Sequence, residues 1–299
     1  MIIEEIATTS ILTRTGGFLA TVCSHSLQPY GGCGLGRSLC GVGCYAKHQT
    51  FLTRGRPWGE YLDVKSGAAR LYRSQYEREA AWARRKTGQF GVFLSSSTEP
   101  FPPQEKRYGV TASVLTAMLE APPGRLILQT HGTGVLDVLA MLRELNDRCE
   151  LRVHMSIESD QDRLPGLPGS FATVKARIEA IGKIRAAGIR SVVTVSPLLP
   201  IRDPHGFFRR LAEVADAVVL DHFIGGDGSA NGSRTHRTAL PEAMRSVDPA
   251  SVRIEYRDSM AEIATRYFPG RVGIGPDGFA GRYLNDPSQA SSETSRAIH

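Results

Sequence analysis

Cys33, Cys40 and Cys44 place three of the chain's five thiols in the stretch Gln28 to Lys47, QPYGGCGLGRSLCGVGCYAK, at the spacing C-x6-C-x3-C. Thiolates are soft ligands, and several on one loop suit a metal centre of more than one atom. Gly34, Gly36, Gly41 and Gly43 lie between them, and glycine lets a backbone wrap closely because it reaches positive φ without steric cost. A structural zinc site takes four ligands, most often as paired C-x2-C knuckles. This loop has no such knuckle, and the nearest extra ligands are Cys23, His25 and His48. An iron–sulfur cluster on three cysteines would instead leave one iron open to a small molecule. The glycine wrapping and the missing knuckle favour the cluster, with a zinc clip as the alternative.

An odd number of cysteines, three of them in one loop, fits a reducing compartment better than a disulfide framework. The N-terminus, MIIEEIATTSILTRTGG, opens acidic and mixed, unlike a secretory signal. No apolar run approaches the ~20 residues a membrane span needs. The expectation is a cytoplasmic protein without a membrane partner. With 299 residues and 41% hydrophobic content, the chain can bury a substantial core in one domain. Lys and Arg number 36 against 30 Asp and Glu, a net charge of +6. The basic residues are spread through helix-like segments and form no block, so the charge permits a nucleic-acid partner without requiring one.

The elements that must position the cysteines alternate. Phe18 to Cys23 reads as a first strand, leading into the cysteine loop, and Tyr61 to Lys86 as one or two helices. Phe90 to Leu94, Arg125 to Gln129, Glu150 to Ile157, Ser191 to Ser196 and Ala217 to Leu220 read as five further strands. Between them Tyr108 to Leu119, Val135 to Leu145, Phe171 to Ala187 and Phe207 to Val214 read as helices. Six βα repeats imply an α/β fold with parallel strands, a partial (β/α)6 TIM-like barrel. Chemistry in such folds gathers in the turns beyond the carboxyl ends of the strands. The cysteine loop, Ser96-Ser97-Thr98-Glu99, His131, Glu158, Pro197 to Pro200 and His222 all occupy such turns. The chain reads as a single domain over 1–284, with a core of about 16–222 and an extension over 223–284. Asn285 to His299 reads as a disordered polar tail.

These residues carry a resemblance. Three cysteines with an aromatic after the last, Cys44-Tyr45, following the first strand of a six-fold βα chain, resemble the radical S-adenosylmethionine superfamily, nearest the spore photoproduct lyase-like family. Gln28-Pro29-Tyr30-x-Gly32-Cys33 is similar to that family's N-P-Y-x-G-C, Cys44-Tyr45-Ala46 to its C-Y-A, and Ser97-Thr98-Glu99-Pro100 with Pro103 to its T-D-P-Y-Q-P turn. Val153 to Ile157 and Ala187 to Pro200 resemble its later strand ends. The resemblance implies a [4Fe-4S] cluster on Cys33, Cys40 and Cys44, with S-adenosyl-L-methionine on the open iron. Tyr45, Ser96, Ser97, Thr98, Glu99, Ser156, Glu158, Val195 and Leu198 would then surround that cofactor, the last two through their backbone. It further implies a small-molecule substrate and an external electron donor such as flavodoxin or ferredoxin. The cofactor would carry the difficult step while the protein positions it.

The departures bear on the substrate. Four residues more than the family's C-x3-C-x2-C separate the cysteines. The family's hydrogen-donating cysteine at the end of strand two is replaced by Ser95 and Ser96, and its lysine after strand three by His131. DNA photoproduct repair by that route is therefore not expected. Cys23, His131 and His222 are the catalytic candidates: Cys23 as a thiol donor or fourth ligand, the histidines as substrate contacts, each weighed against an ordinary buried role. Cys149 reads as a plain thiol on the opposite face. The stretch Gly225 to Thr238 reads as a flexible connection or a lid carrying Asp227, Arg234, His236 and Arg237. The leading expectation is a biosynthetic radical enzyme acting on a small polar, nucleoside-type metabolite. A nucleic-acid modification or repair enzyme and a non-catalytic zinc or iron–sulfur module are the alternatives.

Overall fold

In the computed structural model, which describes residues 1–286, the strands are β1 (Ile2–Glu5), β2 (Leu12–Arg14), β3 (His25–Leu27), β4 (Tyr30–Gly32), β5 (Tyr61–Val64), β6 (Gly91–Leu94), β7 (Arg125–Thr130), β8 (Glu150–Ser156), β9 (Arg190–Val195), β10 (Ala217–Leu220) and β11 (Val272–Ile274). Eight of them form one sheet in the order β11-β10-β9-β8-β7-β6-β3-β2. Every pairing in it is parallel except that of β2 with β3. The intervening helices cover its outer face, giving an α/β fold of the partial TIM-barrel kind whose edges, β11 and β2, do not meet.

Strand residues divide by alternation, since successive side chains point to opposite faces. Val92, Leu94, Leu126, Leu128, Val153, Met155, Val193, Val195, Val218 and Leu220 face the helices in the main core. Phe93, Ile127, Val192 and Val219 face inward, where Cys23, Phe279 and Tyr283 pack against them. Each such side chain, fully removed from water, contributes roughly 1.5–3 kcal/mol. Gly273 allows the final helix, Gly275–Ala280, to lie against the sheet: a Cβ there would stand 2.3 Å from the Gly278 Cα.

The structure corrects three elements read from the sequence. Phe18 to Cys23 is not the first strand: Gly17–Thr21 is a 3-10 turn, entered through Gly17 at φ +55, with Phe18 set edge-on to Phe279 at 5.7 Å. The first parallel strand of the eight-stranded sheet is β3, which puts Cys23 before it. Tyr61 to Val64 is a strand of a second, three-stranded sheet of order β1-β5-β4, and the helix begins only at Ala68. The helix expected from Phe171 starts at Val174, because Thr173 accepts from Ala176 N and caps it there. The expected tail, apart from Asn285 and Asp286, lies outside the described residues. Among these, no helix is long and apolar enough to cross a membrane.

Candidate functional site

β4 delivers Cys33 at its end, and the helix Leu39–Gly43 carries Cys40 and leads to Cys44. The additional residues of the long spacing do not bulge into solvent. Gly36 N bonds to Cys33 O and Ser38 N to Leu35 O, two successive turns anchored by buried Leu35 and Leu39. A Cβ on Gly41 would sit 2.0 Å from Gly36 O, and one on Gly36 2.5 Å from Gly59 Cα, so glycine is required wherever the loop folds on itself. The Lys47 ammonium donates to Gly41 O and Val42 O at the end of the helix. The three thiols feel one another. Burial and then the Cys44 charge push Cys33 up to about 12, burial and Cys44 raise Cys40 well above its ordinary value, and burial raises Cys44. A metal centre binding here would displace their protons. Among the described residues no three His, Cys, Asp or Glu side chains close on a single ion.

Two buried carboxylates frame the loop. Glu99 Oε1 accepts from Thr130 Oγ1 at 2.6 Å and Phe101 N at 3.0 Å, and Oε2 from His131 N at 2.8 Å, so this residue clamps the turn after β6 to the turn after β7. Burial raises its pKa against these donors. Glu158, just beyond β8, accepts from Arg177 Nη1 at 2.7 Å and lies 3.0 Å from His131 Nδ1. Burial would push Glu158 up, but Arg177 and then His131 outweigh it and hold the carboxyl far below its usual range. An ionised carboxylate only accepts, so His131 Nδ1 carries the hydrogen. His131 Nε2 then stands 3.9 Å from Cys40 Sγ and 3.4 Å from Ser156 Oγ. Ser156 in turn accepts from Gln129 Nε2 at 2.8 Å. The cleft between Cys40, His131, Glu158, Ser170, Phe171 and Arg177 measures about 10 Å³, room for one water.

Tyr45 and the serine turn also meet. The Tyr45 hydroxyl donates to Ser96 O at 2.7 Å, while Gln28 Nε2 donates to Ser96 Oγ at 2.7 Å and Gln28 Oε1 accepts from Thr98 Oγ1 at 3.1 Å and Ser97 N at 3.4 Å. The structure thus gathers Cys33, Cys40, Cys44, Tyr45, Ser96, Ser97, Thr98, Glu99, His131, Ser156 and Glu158 around one end of the sheet.

It does not bring in the others. Cys23 stands at the opposite end, beside Gly91 and Arg125 where β6 and β7 begin, and its thiol bonds to His25 O at 3.1 Å. Burial pushes that thiol up to about 12, and neither donor nor ligand duty suits it. His222 is wholly buried with both nitrogens committed. Nε2 donates to Ser251 O at 2.9 Å and Nδ1 accepts from Ile224 N at 3.1 Å, so it is a neutral structural residue rather than a catalyst. Val195 and Leu198 turn into the helix-facing core, and Val195 O and Leu198 N are already bonded to Asp221. The stretch Gly225 to Thr238 is tied to itself: Asp227 accepts from Ser229 N, Ser229 Oγ and Thr235 N, and His236 packs on Phe223 at 5.2 Å.

Sequence reading missed Arg177, Gln28 and Gln129 as members of this network, and placed Thr130 on the turn with His131 without giving it a role. Gln28 stood within the cysteine motif and was identifiable there. Arg177 is one Arg within a charged helix, and only its burial, 3% exposed, sets it apart.

No model of a known protein family matches the chain. Uncharacterized proteins of Mycobacterium tuberculosis (strain ATCC 25618 / H37Rv) and Mycobacterium bovis (strain ATCC BAA-935 / AF2122/97) are 29% identical over 210 residues, covering 66% of this chain and 56% of theirs. The chain therefore spans little more than half the length of these curated relatives. Among solved structures, a spore photoproduct lyase cysteine-to-alanine mutant with dinucleoside spore photoproduct superimposes with a TM-score of 0.59 at 13% identity, over 91% of this chain and 80% of that one. A cysteine-to-serine mutant of spore photoproduct lyase gives 0.57 at 14% identity, over 91% and 81%. At such identities the likeness is one of fold, the α/β fold described above.

Proposed function

We propose that this protein is a radical S-adenosylmethionine enzyme holding a [4Fe-4S] cluster on Cys33, Cys40 and Cys44. The observation that carries the reading is the convergence of three thiols, Cys33 buried and Cys40 and Cys44 half-buried, beyond the carboxyl ends of a parallel sheet, with Tyr45 anchored to the serine turn. The donor set, three thiols on one glycine-rich loop with no paired C-x2-C knuckle, fits a cluster better than a lone zinc, which takes four ligands. When bound, the cluster and S-adenosylmethionine supply one-electron chemistry that ends in hydrogen abstraction from a substrate.

The chain's own residues hold and exclude. Leu39 N bonds to Gly169 O at 3.0 Å, pinning the loop beneath the segment that bears Ser170 and Phe171 and limiting water. His131, fixed by Glu158 and Arg177, presents Nε2 toward Cys40 and Ser156 in a set tautomer. Ser96, Ser97 and Thr98, ordered by Gln28, offer hydroxyls and backbone donors where the resemblance puts the cofactor's amino acid part. Glu99, with three donors already on its carboxylate, acts as a clamp in this reading rather than as a free cofactor ligand. Ser95 in place of a cysteine speaks for a substrate other than a DNA photoproduct. Anaerobic reconstitution tests the proposal: about four irons per chain, a reducible brown chromophore and 5′-deoxyadenosine after reduction are expected. Colourless protein with one equivalent of zinc would overturn it.

A further inference from the structure

A groove of about 550 Å³ opens on the unclosed side of the barrel, lined by residues at the ends of β10 and β11 and by Phe18 of the Gly17–Thr21 turn. That is within the range of roughly 300–1,000 Å³ typical of small-molecule sites. Its walls mix apolar side chains, Phe18, Ile224, Ile274 and Tyr283, with charged ones, and the buried Tyr283 hydroxyl has no partner. At its inner end stands Asp221, directly after β10, with Oδ2 accepting from Ser196 Oγ at 3.3 Å. Glycines keep the space around this carboxylate clear: a Cβ on Gly226 would lie 2.7 Å from Oδ2, and one on Gly275 3.8 Å from Oδ1.

Asp221 has no ion-pair partner among the described residues. Of the groove's two cations, Arg282 pairs with Asp277 and Arg257 with Asp258, and Arg257 reaches Asp221 only through its field. Asp221 also lies near the cysteine loop: Ser196, which donates to it, precedes Pro197, whose Cγ would lie 3.3 Å from a Cβ on Gly43, next to Cys44.

We propose that this groove is the substrate site and that it takes a cationic substrate, a primary ammonium or guanidinium on an aromatic or apolar stem, with Asp221 as its counter-ion. The word substrate rests on the radical-enzyme reading; the cation site rests on the groove. Burial pushes Asp221 up to about 6 against Ser196, the Arg257 charge and the His222 backbone N–H, so near neutral pH it is mostly ionised without a salt-bridge partner, and a cation in the groove would offset the cost of its desolvation.

The test is calorimetric titration of the cluster-loaded full chain with phenethylamine, against phenethyl alcohol as its uncharged counterpart. The amine is expected to bind at least about tenfold tighter, Asp221→Asn to erase that preference, and Gly226→Ala, which fills the space beside Oδ2, to weaken the amine about tenfold. Circular dichroism and cluster absorbance check that the variants fold, and Gly226→Ala carries the test if Asp221→Asn does not. Equal binding of amine and alcohol, no binding of either, or an unchanged preference in Asp221→Asn overturns the proposal. Deoxyadenosine formation measured on the same samples separates the two readings: its absence with amine preference intact removes the radical reading and leaves the cation site, and the converse removes only the site.

Discussion

Replacing Arg177 with Met removes a guanidinium and keeps most of its apolar stem, which isolates the charge that holds the site together. In the native protein Arg177 Nη1 lies 2.7 Å from Glu158 Oε2 and 2.6 Å from Ser156 O, with the two side chains 3% and 7% exposed. Removing one partner of a buried pair costs about 3–5 kcal/mol, because the other charge stays buried. The Ser156 carbonyl loses its donor too, adding about 1 kcal/mol. The sign with pH follows from Glu158. In the wild type its pKa is held below the unfolded value despite burial, so its contribution is fully present above the usual carboxylate range and is lost only as pH falls through the depressed folded value. Without Arg177, burial dominates and the folded pKa rises above the unfolded one, about 4.3. The penalty is then largest at high pH and shrinks as the carboxyl takes up a proton. Urea unfolding of wild type and Arg177→Met between about pH 5 and about pH 8 should show the stability gap narrowing toward acid. Glu158→Gln combined with Arg177→Met should recover most of the loss near pH 8, since no charge is left stranded. A gap independent of pH, or a double variant as unstable as Arg177→Met, would refute the reasoning.

Cys33→Ser, Cys40→Ser and Cys44→Ser should each abolish iron binding, measured as iron per chain after anaerobic reconstitution, while Cys149→Ser keeps it. Cys23→Ala should also retain full cluster content and deoxyadenosine formation and lose only about 1–2 kcal/mol in denaturation, as for a small cavity among apolar side chains. Gly41→Ala forces a Cβ to within 2.0 Å of Gly36 O and should destabilise the loop by about 1–3 kcal/mol and impair loading. Gly34→Ala, whose nearest neighbour would be the Met1 sulfur at 3.6 Å, should load normally in the same absorbance assay.

What was legible in the sequence, and what was not, divides along physical lines. The inner strands announced themselves because residues buried on both faces read as continuous apolar runs, and Leu126 to Leu128 or Val192 to Val195 have no other use. Turns carrying chemistry followed from strand direction alone, which is why Ser96, Glu99, His131 and Glu158 were found together without any contact being known. Phe18 to Cys23 misled for the same reason that the others succeeded: it is a short apolar run, but it seals the barrel's floor against Phe279, and a three-dimensional plug leaves no period to read. His222 was correctly placed at a strand end and wrongly given a role, since only the positions of Ser251 O and Ile224 N show that its ring has nothing left to offer. Asp221, its neighbour, is placed by the sequence on the same strand-end turn, but the sequence gives it no role. Its distinction is a groove-lining carboxylate with no salt bridge among the described residues, a property of what surrounds the residue and not of its spacing. The same limit applies to the lengthened cysteine loop. The glycines implied close wrapping, but only Gly36 against Gly41 and Gly59 shows that the extra residues fold inward, so that an unusual spacing still delivers three thiols to one place.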